Sequence, residues 1–202
     1  MTIIHFIRHG EVHNPRRVLY ARLPRFPLSA AGWGQAEAAA AYLRDRPLAA
    51  VIASPRLRAR QTAAIIARPH GLPVRTSRLI DEIHTPHQGR PLAELDGEGW
   101  RLFANLPPGY ESPAGVTARA VRLINRLRRR YQDGEVAVVT HGDVVLAVRF
   151  WVEGIPFTDD TKNAAGLYPA TASITTLTFP PSDNGTGKAS ADRPAMTYHR
   201  PY

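Results

Sequence analysis

Ile3-Ile4-His5-Phe6-Ile7-Arg8-His9-Gly10 is the stretch from which the rest of the chain can be ordered. A short apolar run that ends on His-Gly reads as a buried strand delivering polar residues into a loop. The pattern returns at Glu135–Thr140, followed by His141-Gly142, and in a variant form at Ala49–Ala53, followed by Ser54-Pro55. Between these runs the periodicity is helical. Ser29 is a ready cap for Ala30–Leu43, which is rich in alanine, the best helix former. Leu57–Ala67 reads as a helix stopped by Pro69 and Gly71, and Val144–Val152 as another. In Val116–Tyr131, Val116, Ala120, Leu123, Ile124 and Leu127 form one apolar stripe with arginines largely opposite.

Val74–Leu79 is expected to be a short strand and Ser173–Phe179 a last one. Strands alternating with helices predict an α/β fold: a three-layer sandwich with a mostly parallel central sheet and helices on both faces. Residues 14–27, with Pro15, Pro24 and Pro27, read as an ordered loop, and the proline- and glycine-rich segment 83–115 as loops and short helices. One catalytic domain is expected over residues 1–179. Residues 180–202 are expected to form a loosely ordered tail, because they are rich in Pro, Ser, Gly and Asp.

The composition narrows the function classes. With 44% hydrophobic and 21% charged residues over 202 positions, the chain has a globular profile. No run approaches the ~20 apolar residues of a bilayer span, and the N-terminus carries no basic leader, so a cytoplasmic, non-membrane protein is expected. Cysteine is absent, which excludes disulfides and thiolate metal sites. The net charge of +9 favours anionic partners. The arginines of 119–130 are read as a solvated face, so nucleic acid is not the expected partner. Trp33, Trp100 and Trp151 are expected in the core or at its rim, and His84 and His87 either at a pocket mouth or in ordinary loops.

In open α/β sheets ligands bind beyond the carboxyl ends of the strands. Three strand ends here carry chemistry: Arg8-His9-Gly10, Ser54-Pro55 and His141-Gly142. Two strand–His–Gly junctions, with Arg8 and an arginine of the 56/58/60 set, make a pocket able to neutralise a phosphoryl dianion. Alternate positions on a helix point in different directions, so at most one or two of those three arginines can serve one site. His5, His9 and His13 cannot share a helical face, and no metal site is expected.

The ordered set Arg8-His9-Gly10-Glu11 with Asn14, Pro27-Leu28-Ser29-x-x-Gly32-x-x-Gln35-Ala36, Ser54-Pro55-x-x-Arg58-Ala59-x-Gln61-Thr62-Ala63, Glu82, His141-Gly142 and Ala172-Ser173-Ile174 resembles the histidine phosphatase superfamily, the phosphoglycerate-mutase-like proteins. The resemblance spans residues 2–179. It implies that His9 is a nucleophile phosphorylated on a ring nitrogen, and that Arg8, Arg58 and His141 surround the phosphoryl oxygens. Glu82 would protonate the leaving group and then activate water. Asn14, Arg22 and Gly142 would join these residues in binding phosphate or substrate. It implies no cofactor and no metal. The partners it implies are a small phosphorylated substrate and inorganic phosphate as product; the oligomeric state is left open, a dimer included.

Mutases of the family carry a longer insertion than the 58 residues (83–140) found here between Glu82 and His141, so hydrolysis is expected over mutase-type transfer. A non-catalytic binding module on the same fold is the other alternative; it would be expected to lack one of His9, Arg58, Glu82 or His141. The chain also departs from the family. Phe26 stands where many members have aspartate, and Ala21 precedes Arg22 where many have glycine. Asp81 adjoins Glu82, so the identity of the acid rests on motif register.

Overall fold

Apolar runs of four to six residues have room for only one extended segment each, and they assemble edge to edge at the centre of the molecule. The computed structural model describes residues 1–164, 166–181 and 193–202. β1 (Thr2–Arg8), β2 (Leu48–Ala53), β3 (Val74–Thr76), β4 (Glu135–Thr140), β5 (Ile174–Phe179) and β6 (Ala195–His199) form one sheet in the order β3-β2-β4-β1-β5-β6. β3, β2, β4 and β1 are parallel; β5 is antiparallel to β1, and β6 to β5. Parallel neighbours need long crossovers. These carry α1 (Ala30–Leu43), α2 (Leu57–Ala67), α3 (Leu92–Gly97) and α4 (Pro113–Arg130); α5 (Gly142–Glu153) and α6 (Asp159–Lys162) follow β4.

Side chains alternate across a strand, so each inner strand feeds two cores. Ile4, Phe6, Val136 and Val138 meet the stripe of α4 and the apolar side of α5. Ile7, Ala137 and Val139 face the small side chains of α1 and α2 on the other side. Helices cover both faces of the sheet, and the expected three-layer α/β sandwich is the observed one. In β2, Leu48 joins the α1/α2 core although Ala50, two residues on, joins the other. A register irregularity between Leu48 and Ala50 turns the strand over at that point.

Three elements differ from the sequence reading. β3 ends at Thr76 and the chain turns through a 3₁₀ helix at Arg78–Ile80. α6 lies in a stretch that carried no periodic signal. The third difference is in the tail expected to be loose, where Ala195–His199 forms the sixth strand, so the sheet extends past the expected boundary at 179. The open edge of β5 supplies hydrogen-bond partners for it, His199 stacks on Tyr42 and the Tyr198 hydroxyl accepts from Ala170 N. These contacts are long-range and leave no local pattern. Residues 182–192 of the same tail lie outside the described residues. Among the described residues no helix is long and apolar enough to cross a membrane.

Candidate active site

Strand register builds the site. Arg8 pairs with Thr140 and Ala53 with Val139, so the residues that follow leave the sheet side by side. The rings of His9 and His141 stand 5.3 Å apart, edge to face. The turn after β1 is held by residues of the two helix-opening motifs. Gly10 N donates to Thr62 Oγ1, Glu11 N to Gln35 Oε1, Ser29 N to the Glu11 carbonyl and Leu28 N to Gln61 Oε1. Gly10 and Gly32 pass backbone against backbone; a Cβ at Gly10 would collide with the Gly32 carbonyl. These motif residues fix the loop carrying His9.

His9 is fully buried, and its Nδ1 donates to the Gly10 carbonyl at 2.7 Å. That bond holds the proton on Nδ1 and leaves Nε2 as the unprotonated nitrogen, which accepts from Arg58 Nε at 3.1 Å. Burial, reinforced by Arg58, His141 and Arg8, keeps this imidazole well below the ordinary histidine range, so it is neutral. Arg58, 1% exposed, spreads its guanidinium between Nε2 of His9, the Ala21 carbonyl (2.8 Å), His141 Nδ1 (3.1 Å) and Glu82 Oε2 (3.4 Å), under the face of Tyr20. With Arg58 donating to Nδ1, His141 directs Nε2–H to Ser54 Oγ at 2.7 Å. Burial and then Arg58 likewise press His141 well below the usual value. Arg8 donates to the Pro169 carbonyl at 2.6 Å while its Nε is buried without a partner among the described residues. A cationic N–H in that state is a standing site for an anion.

The adjacent carboxylates separate cleanly. Asp81 takes two bonds from Arg56, at 2.7 and 2.6 Å, and accepts from the Ser54 hydroxyl. It stands behind the chain Ser54–His141. Glu82 turns the other way, lines the cavity with Arg8 and His9, and brings Oε2 to 3.2 Å from His141 Nδ1. Gly142 also lines the cavity and opens α5; a Cβ there would strike the Tyr168 hydroxyl.

Asn14 and Arg22 do not line the cavity. The Asn14 amide is closed on the backbone of Val18 by two bonds and shapes the loop that presents Val18 and Tyr20. Arg22 donates to the Glu82 carbonyl at 2.7 Å and to Glu111. Of the three alternate arginines, Arg58 enters the site, Arg56 holds Asp81, and Arg60 is exposed. His84 and His87 do not line the cavity; His84 packs on Tyr110.

The departures from the family pattern have local reasons. Ala21 has φ 33°, the left-handed region in which glycine is at ease, and its carbonyl receives Arg58. Phe26 packs against Tyr20, the ring over Arg58. Sequence reasoning missed Tyr20, Tyr168 and the buried pair Asp143–Lys162, all in the cavity wall. No local pattern marks them, because loops distant in sequence bring them together.

His9, Glu82 and His141 offer ligand atoms within 4.8 Å of one another, a spacing that suits a cation. The Arg58 guanidinium already bonds to all three, and its fixed charge stands where such an ion would.

The family model of the histidine phosphatase superfamily (branch 1) matches residues 4–186. An uncharacterized protein of Mycobacterium tuberculosis, Rv0525, is 38% identical over 185 residues, covering 88% of this chain and 90% of its own. The solved mycobacterial glucosyl-3-phosphoglycerate phosphatase superposes with a TM-score of 0.72 at 27% identity, over 87% of this chain and 89% of its own; it has also been solved with VO3 and with inorganic phosphate. A phosphoserine phosphatase of Entamoeba histolytica shares the fold, with a TM-score of 0.76 at 20% identity over 98% of this chain and 95% of its own. This chain belongs to the histidine phosphatase superfamily and is a phosphoryl-transfer enzyme with that fold.

Proposed function

We propose that this member of the histidine phosphatase superfamily hydrolyses a small phosphorylated metabolite through a phosphohistidine on Nε2 of His9. One observation carries the reading. His9 is neutral, its proton is held on Nδ1 by the Gly10 carbonyl, and its unprotonated Nε2 accepts from buried Arg58, a bond that an incoming phosphoryl group would displace, while among the described residues the Nε–H of Arg8 is a second buried cationic donor without a partner. Nε2 attacks phosphorus as the ester P–O bond breaks. Arg8, Arg58 and His141 take the charge that spreads over the equatorial oxygens. Glu82 enters as the acid and gives its proton to the departing alkoxide. The resulting carboxylate then removes a proton from water; the water oxygen bonds to phosphorus, the P–N bond breaks, and phosphate leaves with His9 restored. The guanidinium groups supply the positive charge that a metal ion supplies elsewhere. A cytoplasmic setting agrees with this chemistry.

Rapid quenching with labelled substrate tests the reading. An acid-labile, base-stable label on His9, lost in His9→Ala, is the expected result. EDTA should leave turnover intact, while vanadate should inhibit. A label on serine, or loss of turnover on chelation that one divalent ion restores, would reject the proposal.

A further inference from the structure

Arg8, His9 and Glu82 of the proposed phosphoryl site line a cavity of about 630 Å³, with Arg58 and His141 buried behind them. Cavities of ~300–1,000 Å³ enclose ligands of drug-like size, and a three-carbon phosphate ester leaves most of this one unfilled. Beyond Arg8, His9 and Glu82 the wall includes the apolar side chains of Val18, Leu19, Ile83, Leu92, Trp100 and Leu102, with Tyr20, Tyr168 and Asn163 as its neutral polar members. Trp100 holds its place in this wall at φ 53°, a conformation unfavourable for a bulky residue, with its indole N–H donating to Asp96 at 2.6 Å. The remaining charged residues of the wall, Asp143 and Lys162, are both buried and pair with each other at 3.1 Å. Among the described residues, therefore, a second anionic group on a substrate would meet no unpaired cation in the distal cavity. Its desolvation would go uncompensated. An apolar group would meet six apolar side chains and displace water from them.

We infer that the distal cavity selects phosphomonoesters of uncharged, apolar alcohols over phosphorylated carboxylic acids, with Leu92 and Trp100 as specificity-determining residues. The inference rests on the phosphatase reading above and names the substrate class of that site.

The test compares 2-phenylethyl phosphate with 3-phosphoglycerate and phosphoserine. All three leave as primary alkoxides, so kcat/KM reads recognition of the distal group. The aryl-alkyl ester should be favoured by roughly tenfold or more. Leu92→Arg, which introduces a cation in the wall, should move the ratio at least roughly tenfold toward 3-phosphoglycerate, and Trp100→Ala should move it the same way. A wild-type preference for either carboxylate ester overturns the inference, and unchanged ratios in both variants overturn the residue assignment. If no ester is hydrolysed, the phosphatase reading falls by itself. Calorimetry with 2-phenylethylphosphonate against 3-phosphonopropionate then decides the cavity, and tighter binding of the phosphonopropionate would reject the inference.

Discussion

His5 lies within β1 and His9 one residue past its end, both are buried, and their surroundings are opposite in kind. His5 bonds through Nδ1 to Thr176 and through Nε2 to Glu135, and Glu135 takes two further bonds from Arg46. Both ring nitrogens of His5 and both carboxylate oxygens of Glu135 have partners. Around His9, two cations converge beside a second histidine: Arg58 bonds to it, and Arg8 keeps a buried N–H that has no partner among the described residues. The first group is electrostatically closed. The second, although Glu82 bonds to Arg58, keeps the Arg8 N–H unmatched among the described residues. Burial alone therefore does not separate a structural histidine from a reactive one, whereas the completeness of its partner set does.

Exchanging the two histidines for alanine tests the contrast most severely. His9→Ala is expected to lower kcat/KM by ~10³-fold or more with the fold retained by circular dichroism. His5→Ala is expected to lose about 1–3 kcal/mol of stability in denaturant titration, with kcat/KM close to wild type while folded. Loss of turnover in well-folded His5→Ala would break the comparison.

The neighbouring carboxylates sharpen it at the next level. Glu82→Gln should slow the phosphorylation burst with alkyl phosphates by roughly 10²–10⁴-fold, and less with aryl phosphates, whose leaving groups need little protonation. Asp81 belongs to a closed group with Arg56 and Ser54, so Asp81→Asn should spare the burst and instead lower stability by about 1.5–3 kcal/mol. A leaving-group-dependent loss in Asp81→Asn, absent in Glu82→Gln, would reverse the assignment.

A smaller effect follows from protonation. His9 and His141 are held well below the usual histidine value, first by burial and then by Arg58. Below about pH 6.5 the unfolded chain gains protons that the folded site refuses, so stability is highest above that pH and declines as the solution becomes more acidic. His5 is lowered too, by burial, with Glu135 opposing the shift. The fall in Tm on acidification should be shallower in His9→Gln than in wild type, and saturating vanadate should protect the wild type more at low pH, because an anion favours the protonated rings. Identical pH slopes in the two proteins would count against an electropositive His9 environment.

Ala21→Gly is expected to have the smallest effect. Relief of the left-handed φ should outweigh the added chain entropy by about 0.5–1 kcal/mol, seen as a Tm increase of roughly 1–4 °C. A fall in Tm would mean that the Ala21 methyl, buried in the wall, contributes more packing than its backbone loses.

The sequence by itself determined the layered α/β fold, because apolar runs and helical stripes are local patterns: Ile3–Arg8 and Glu135–Thr140 have no other economical burial, and Val116–Leu127 can present only one apolar face. It also singled out His9 and His141, since each sits just beyond a strand end, where backbone connectivity brings it to the rim; Arg58, within α2, was chosen from the 56/58/60 set by the family resemblance. Tertiary structure alone decided what each neighbour of these residues does. Asn14 and Arg22 stand outside the cavity lining, where the Asn14 amide bonds to Val18 and Arg22 donates to Glu82 and Glu111. Asp81 and Glu82 diverged because one turns toward Arg56 and the other into the cavity. The tail supplied β6 because a distant strand offered a free edge. Tyr20, Tyr168 and the Asp143–Lys162 pair also reached the cavity wall from separate loops. Partner choice among groups tens of residues apart depends on loop closure and on which charges remain unpaired, and neither has a period that a linear pattern can carry.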